Sequence, residues 1–349
     1  MNIALISFTA QGAELGAKLG SQLETFEDFH GFVSARFAGD PPLPRWEGSL
    51  SDWTQHWFCK ADALIFVGAC GIAVRAIAPF VRDKFADPAV LVIDEKGKFC
   101  ISLLSGHVGG ANALCSRCAA YLDSTPVITT ATDLNGKFAV DVFARQNDLY
   151  LTDRRLAKEI SAAVLAGKPI GFTSELPVEG KLPSELRNSS DCEFAISVGF
   201  HRPESDHTLW LVPRTLVLGI GCRKQTAEES IEAFALDELS KLGLPVQAVN
   251  TVASIDLKAQ EQGLLQFCKK YGFAFRTYSA AELMQAQGTF APSDFVRGIT
   301  GVDNVCQRSA VYDVQTHYEE HHLLLEKQKG NGVTLSLAAG VRSIRFPAI

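Results

Sequence analysis

Ser102-Leu-Leu-Ser-Gly-His-Val-Gly-Gly-Ala-Asn112 places a histidine inside a glycine-rich turn. An apolar stretch, Phe99 to Leu104, runs into the turn, and a helix-like segment, Ala111 to Leu122, leaves it. Strand, small-residue turn and helix start form an architecture in which backbone N–H groups point at a ligand. The same succession is the building unit of an α/β fold, so it bears on architecture and chemistry together.

The pattern extends outward on both sides. Asn2 to Phe8 reads as a strand followed by an amphipathic helix to about Leu23, and Ala61 to Val67 as a strand, a Gly68-Ala-Cys-Gly71 turn and a helix from Ile72 to Val81. Val90 to Ile93 and Phe99 to Leu104 are strands joined at Asp94-Glu-Lys-Gly97, a hairpin turn. Pro126 to Ala131 is a further strand. From about 140 to 214 the chain is less regular, with a helix over Arg155 to Leu165 and strands at Pro169 to Thr173, Phe194 to Phe200 and Leu209 to Val212. A new unit opens with the strand Leu216 to Ile220, the turn Gly221 to Gln225 and Thr226-Ala-Glu-Glu229, which reads as a capping box. A hairpin closes the chain, turning at Lys329 to Gly332. The expected fold is multi-domain α/β, with mostly parallel sheets flanked by helices in the N- and C-terminal domains and a small α/β middle region. The expected boundaries are 1–139, 140–214 and 215–349. In such sheets ligands sit at the carboxyl ends of strands.

Composition narrows the function. At 349 residues the chain is too long for one ordinary core, and 47% hydrophobic with 21% charged residues describes a folded rather than a disordered protein. A net charge of −6 and no basic stripe argue against nucleic-acid binding. Met1 to Phe8 reads as a first strand, not a signal peptide. No run approaches the roughly 18 apolar residues of a membrane helix, so a cytoplasmic location is expected. The nine cysteines are expected to be reduced there. Cys115 and Cys118 lie on one helix face as small buried residues, since a zinc site would need a second ligand pair.

Four segments carry residues suited to chemistry. In the first, His107 can take a proton from water near neutrality, and the backbone amides of Ser105 to Gly110 can stabilise an oxyanion. A glycine turn with a satisfied structural histidine is the alternative. Ser105 is a candidate nucleophile, although the local pattern is not G-x-S-x-G. In the second, Arg75 follows Gly71 in an otherwise apolar helix, with Arg82, Asp83 and Lys84 at its end. Such an arginine either pairs with an acid or faces a pocket. The third, Thr129-Thr-Ala-Thr-Asp-Leu-Asn135, offers Thr130 and Asp133 at a strand end, where they suit a pocket edge or a capped turn. The fourth, Gly219 to Thr226, is another anion-ready turn with Arg223 and Lys224, and it is not a P-loop. His317 and His321 stand four apart in a stretch that reads as a solvated loop.

Gly71-Ile-Ala-Val-Arg-Ala-Ile-Ala-Pro79, the run from Lys84 through Asp87-Pro-Ala-Val90 to Asp94-Glu-Lys-Gly97, the His107 turn and Pro126-Val-Ile-Thr-Thr-Ala-Thr-Asp133 occur in that order. Together they resemble the CbiG family of anaerobic cobalamin biosynthesis. Leu218-Gly-Ile-Gly-Cys-Arg223, Ala253-Ser-Ile-Asp-Leu-Lys258 and Gly301 to Cys306 resemble its C-terminal region. Gln225 stands where that pattern has a small residue, usually glycine, and Asp303, Asn304, Gln307 and Arg308 are more polar than its small-residue run. The resemblance implies a cobalt-precorrin-5A hydrolase: water opens a δ-lactone and a two-carbon unit leaves as acetaldehyde, giving cobalt-precorrin-5B. It implies no cofactor, since cobalt arrives with the substrate. The partners it implies are the cobalt tetrapyrrole, a homodimer or transient contacts with neighbouring pathway enzymes, and neither nucleic acid nor membrane. Local chemistry then assigns His107, Ser105 and Asp133 to catalysis. Gly71, Arg75, Lys84, Gly106, Gly109, Gly110, Asn112, Thr130 and Arg223 are assigned to substrate binding. A non-catalytic tetrapyrrole carrier and a hydrolase of smaller lactones are the alternatives.

Overall fold

The computed structural model describes residues 1–25, 27–37, 39–83, 86–107, 109–130, 136–189, 191–330 and 332–346. The chain forms two compact units, Met1–Val142 and Phe143–Ile349.

The first unit contains β1 (Asn2–Ser7), α1 (Ala10–Leu23), β2 (Asp28–Val33), α2 (Leu50–Phe58), β3 (Ala63–Val67), α3 (Cys70–Ile77), β4 (Ala89–Ile93), β5 (Phe99–Leu104), α4 (Ala111–Leu122) and β6 (Thr125–Val127), and α5 (Val140–Gln146) begins at its end. Its sheet has the order β2-β1-β3-β4-β5-β6. The runs of β1, β3 and β4 are almost wholly apolar because these strands are buried on both faces. Their alternate side chains feed two cores. Ile3, Leu5, Ile65 and Leu91 meet Leu19 and Leu23 of α1 and Leu114, Cys115 and Cys118 of α4. Ala4, Ile6, Leu64, Phe66 and Val92 meet Trp53 and Trp57 of α2 and Ala73 and Ile77 of α3. Each such large side chain contributes roughly 1.5–3 kcal/mol on burial. The Cys115 thiol donates to the Cys100 carbonyl at 3.0 Å, and burial pushes the Cys118 thiol up to about 12.

Register decides where the His107 turn emerges. β1 to β4 run parallel, whereas β5 is antiparallel to β4, pairing Leu104 with Val90 and Cys100 with Ile93. The end of β5 therefore lies beside the start of β4. The His107 turn opens at the edge where β3 and β4 begin, and Gly68 to Gly71 opens at the opposite edge. The length of β3 separates them, roughly 13 Å at 3.3 Å per residue.

The second unit holds two five-stranded sheets and one two-stranded ribbon. β7 (Leu149–Leu151), α6 (Arg154–Leu165), β8 (Ile170–Ser174), β9 (Val178–Glu179), β10 (Leu186–Arg187), β11 (Phe194–Val198) and β12 (Thr208–Pro213) come first, with the sheet order β10-β8-β11-β12-β7 and only β7 antiparallel. Then follow β13 (Leu216–Cys222), α7 (Glu228–Lys241), β14 (Val249–Ile255), α8 (Gln262–Tyr271), β15 (Ala274–Tyr278), α9 (Ala280–Leu283), α10 (Asp294–Thr300), α11 (Val305–His317), β16 (Glu320–Gly330), β17 (Val333–Val341) and β18 (Ile344–Arg345). Their sheet has the order β15-β14-β13-β17-β16. Leu218, Ile220 and Val252 pack on Ile231 and Ala235 of α7 and Leu264 and Phe267 of α8, whereas Val217 and Ala253 pack on Ala310 and Val314 of α11. β18 pairs with β9, and Phe346 stacks on Phe143 at 4.8 Å and meets Phe172 of β8 at 5.3 Å, so the tail closes onto the first of the two sheets.

Candidate active site

Backbone geometry shapes the turn after β5. Ser105 has φ 56° and Gly110 has φ 85°, two left-handed residues that fold the chain back on itself. A Cβ at Gly109 would lie 2.2 Å from the Ser105 Cβ and 2.6 Å from its carbonyl oxygen, so only glycine fits there. The Ser105 hydroxyl donates to the Asp87 carbonyl at 3.0 Å, tying the turn to a residue two before the start of β4. That bond gives the hydroxyl a role in holding the turn.

The turn caps its own helix. The Gly110 N–H donates to the His107 carbonyl at 2.9 Å, Ala111 N–H to Ser105 at 3.1 Å and Asn112 N–H to Gly106 at 3.0 Å. A helix start normally leaves such donors open to an anion. Here three of them are taken by the carbonyls of the turn, which removes Gly110 from the expected set of oxyanion donors. The Gly106 and Gly109 N–H groups make no hydrogen bond among the described residues.

Asn112 is a buried bracket. Its Oδ1 accepts from the Ser102 hydroxyl at 2.7 Å, and its Nδ2 donates to the Thr130 hydroxyl at 2.8 Å. It also lies against Gly106, where a Cβ would come within 2.7 Å of Oδ1. One side chain thus joins β5, the turn, α4 and the segment after β6. Each bond adds roughly 0.5–1.5 kcal/mol.

His107 sits above this scaffold with its side chain 21% exposed. Its Nδ1 lies 3.6 Å from Oδ2 of Asp141, whose side chain is 14% exposed. The other Asp141 oxygen accepts the Val142 N–H at 3.0 Å. Asp141 stands in the first turn of α5, where acidic residues are common, so sequence pattern alone gives it an ordinary place. It meets His107 only through the fold. An imidazole beside a carboxylate at a sheet edge can take up and pass on a proton.

The remaining candidates are dispersed. Gly71 lies at the opposite sheet edge from His107, because β5 runs against β3 and β4. Arg75 is exposed rather than buried, since α3 turns Ala73 and Ile77 inward and leaves Val74 and Arg75 outside. Its guanidinium lies over Gly71, and it makes no ion pair among the described residues. Lys84 and Asp133 lie outside the described residues. Arg223 belongs to the second unit, where it is exposed, donates its N–H to the Gly332 carbonyl at 3.1 Å and lays its stem against Gly332. Among the described residues no group of three His, Cys, Asp or Glu side chains could hold a metal, and no helix is long and apolar enough to cross a membrane.

The glycine turn of the second unit is built differently. Gln225 adopts φ 61°, the conformation in which glycine is favoured, and its N–H donates to Glu261 at 2.7 Å. Glu261 in turn pairs with Lys258 at 2.9 Å. The expected capping box is absent: Ala227 is the cap of α7, without a side-chain bond, because the Thr226 hydroxyl donates to the Arg223 carbonyl at 2.8 Å. The four polar departures near α11 satisfy one another. Arg308 binds Asp303 through Nε at 2.6 Å and Nη2 at 3.2 Å, and the Asn304 side chain donates to Gln307 at 3.1 Å and caps the helix. The Arg308 bond holds the Asp303 carboxyl below its usual range, against the opposing effect of burial.

Comparison with known proteins covers most of the chain. Residues 52–133 match the domain family described as Cobalamin synthesis G N-terminal, 138–213 match Cobalamin biosynthesis central region and 216–338 match Cobalamin synthesis G C-terminus. The chain is 35% identical over 350 aligned residues to the Cobalt-precorrin-5A hydrolase of Salmonella typhimurium, covering 96% of this chain and 97% of that one. It is 31% identical to the Cobalt-precorrin-5A hydrolase of Priestia megaterium, covering 96% and 94%. It is 27% identical to the Probable cobalt-precorrin-5A hydrolase of Methanocaldococcus jannaschii, covering 78% and 84%. His107 falls in the N-terminal match and Asp141 in the central one.

Proposed function

The chain belongs to the CbiG family of cobalamin-synthesis proteins, and on that premise we propose that it hydrolyses cobalt-precorrin-5A, opening the δ-lactone with water and releasing acetaldehyde to give cobalt-precorrin-5B. The observation that carries the assignment of the site is His107 standing beside Asp141 on a self-capped glycine turn.

His107 acts as general base. A water oxygen forms a bond to the lactone carbonyl carbon while its proton passes to the imidazole. The carbonyl electron pair moves onto oxygen, where the Gly106 and Gly109 N–H groups receive it. Collapse of that oxyanion breaks the acyl carbon–oxygen bond as the imidazolium returns its proton to the leaving oxygen, giving a hydroxyl and a carboxylic acid that releases its own proton to water. The hydroxyl then loses its proton and the adjacent carbon–carbon bond breaks in retro-aldol fashion. Its electron pair enters the macrocycle, which takes up a proton, and acetaldehyde departs. Asp133 is the group we assign to the second proton transfer. Water is the nucleophile, in keeping with the Ser105 hydroxyl's bond to Asp87.

Arg75, Lys84 and Arg223 are assigned to the peripheral carboxylates of the substrate. Cobalt enters with the substrate, and the reaction needs no organic cofactor. The test is acetaldehyde release from cobalt-precorrin-5A by His107→Ala. Loss of turnover by about 10²–10⁴-fold with retained binding is expected for a general base. A rate near that of the unaltered protein would sink the assignment.

A further inference from the structure

We propose that Asp141 is a positioning residue for His107, fixing the tautomer in which Nδ1 carries the hydrogen and Nε2 is the basic nitrogen; the kinetic consequence rests on the reaction assigned above. The two oxygens of Asp141 divide the work. Oδ1 accepts the Val142 N–H at 3.0 Å, and Oδ2 faces the His107 Nδ1 at 3.6 Å. The carboxylate cannot swing from the ring without giving up its backbone bond. Both side chains are mostly shielded from water, at 14% and 21% exposure, which strengthens their attraction. A spacing of 3.6 Å is slightly long for a hydrogen bond, as such pairs often are before substrate binds.

The proton inventory follows from this arrangement. A carboxylate can only accept, so in the proposed pair the Nδ1–H faces it and the lone pair sits on Nε2. When Nε2 takes the water proton, the imidazolium charge forms next to the Asp141 carboxylate. Nε2 then returns the proton to the departing lactone oxygen, and the pair regains its starting state. The turn supplies the orientation from the other side, since Gly109 and Gly110 hold the backbone of His107 in place. A merely structural ion pair, stitching α5 to the turn, would affect folding but would not select a nitrogen.

Two measurements on the full chain separate these roles. In substrate-free protein labelled with ¹⁵N-histidine, His107 is expected to show the Nδ1–H tautomer, and Asp141→Asn is expected to lose that preference. With cobalt-precorrin-5A, Asp141→Asn should lower kcat for acetaldehyde release by about 10²–10⁴-fold, as for other carboxylate–histidine pairs. KM should change by less than about threefold, because the interaction matters in the transition state. Asp141→Glu should recover at least about tenfold of the loss, and His107→Ala/Asp141→Asn should be no slower than His107→Ala. An unchanged tautomer in Asp141→Asn, a near-normal kcat or multiplicative losses in the double variant would each overturn the proposal. If the unaltered protein fails to turn over cobalt-precorrin-5A, the assigned reaction falls while the tautomer still decides the role of Asp141.

Discussion

The two glycine turns, Ser105 to Gly110 in the first unit and Gly219 to Gln225 in the second, share a strand before them and a helix after them, yet their glycines serve opposite ends. A side chain at Gly109 would strike Ser105 of its own turn. A side chain at Gly219 would strike another element, 1.8 Å from the Cys306 carbonyl and 2.8 Å from the Ala310 nitrogen of α11. The first glycine shapes a loop that presents a histidine; the second lets a helix lie directly on a strand. What a missing Cβ would meet separates a turn folded tightly on itself from one that seats a helix.

The contrast is broken most sharply at those two positions. Gly219→Ala forces α11 off β13 and should cost more than about 4 kcal/mol, the range of severe core disruption. It should abolish a cooperative thermal transition in the second unit. Gly109→Ala should cut acetaldehyde release by about 10²-fold or more through misplacement of His107, with a smaller stability loss of about 1–3 kcal/mol from strain. Circular-dichroism melts and the aldehyde assay on both variants check this. Equal stability losses, or a Gly109→Ala enzyme of normal rate, would erase the distinction.

Charge offers a second, milder break. Near the second turn, Asp303 and Arg308 are both about nine-tenths buried and bonded through two nitrogens, with the guanidinium 4.3 Å above the Phe290 ring. The Arg308 bond lowers the Asp303 carboxyl in the folded state. A lowered folded value means stability that is present above the unfolded carboxylate value of about 3.9 and is lost as pH falls through the folded one. Asp303→Asn strands a buried Arg308 and should be less stable at neutral pH by about 3–5 kcal/mol. Its deficit should begin to shrink below about pH 4, where the unfolded chain's carboxyl takes up its proton, and go on shrinking as the pH falls through the lowered folded value. Urea unfolding of both proteins across the acid range tests this, and a constant deficit would remove Asp303 as the source of the acid sensitivity.

What could be read in advance follows from which forces are local. β1, β3, β4 and β13 announce themselves as short apolar runs, because strands buried on both faces need no polar residues. The hairpin at Asp94 to Gly97 was equally plain. β2 was missed, since Asp28-Phe-His-Gly-Phe-Val33 is an edge strand of mixed polarity, and α2 carries tryptophan, threonine and histidine where a helix pattern expects simpler residues. Thr226 looked like a cap, but its hydroxyl found a carbonyl within its own turn. Arg75 stands among apolar neighbours and so suggests an acidic partner or a pocket, yet α3 needs only Ala73 and Ile77 inside and leaves it exposed. His107 could be singled out from its turn. Asp141 could not, because nothing near it in sequence records that α5 brings its first turn against the loop after β5. The polar departures at 303, 304, 307 and 308 appear unrelated along the chain and become two complementary pairs only on α11.

The smallest effect belongs to Gln225, the residue that departs from glycine at a left-handed position. Its conformation costs about 1 kcal/mol relative to glycine, while glycine there would enlarge the entropy of the unfolded chain by about 0.4–1 kcal/mol. The two nearly cancel, and the backbone N–H that Gln225 donates to Glu261 survives the exchange. Gln225→Gly should therefore shift stability by no more than about 1 kcal/mol in either direction and leave KM unchanged within about twofold, since it removes no charge from Arg223 or Lys224. Ser105 is the matching left-handed residue of the first turn, and Ser105→Gly relieves the same strain. It also deletes the hydroxyl bond to Asp87 that ties the His107 turn to the segment before β4. The net result there should be a loss, of about 1 kcal/mol in stability and several-fold in kcat. Thermal melts and turnover on the two variants set a strained residue that merely tolerates its turn against one that anchors it, and a stabilising Ser105→Gly would show that the anchor is dispensable.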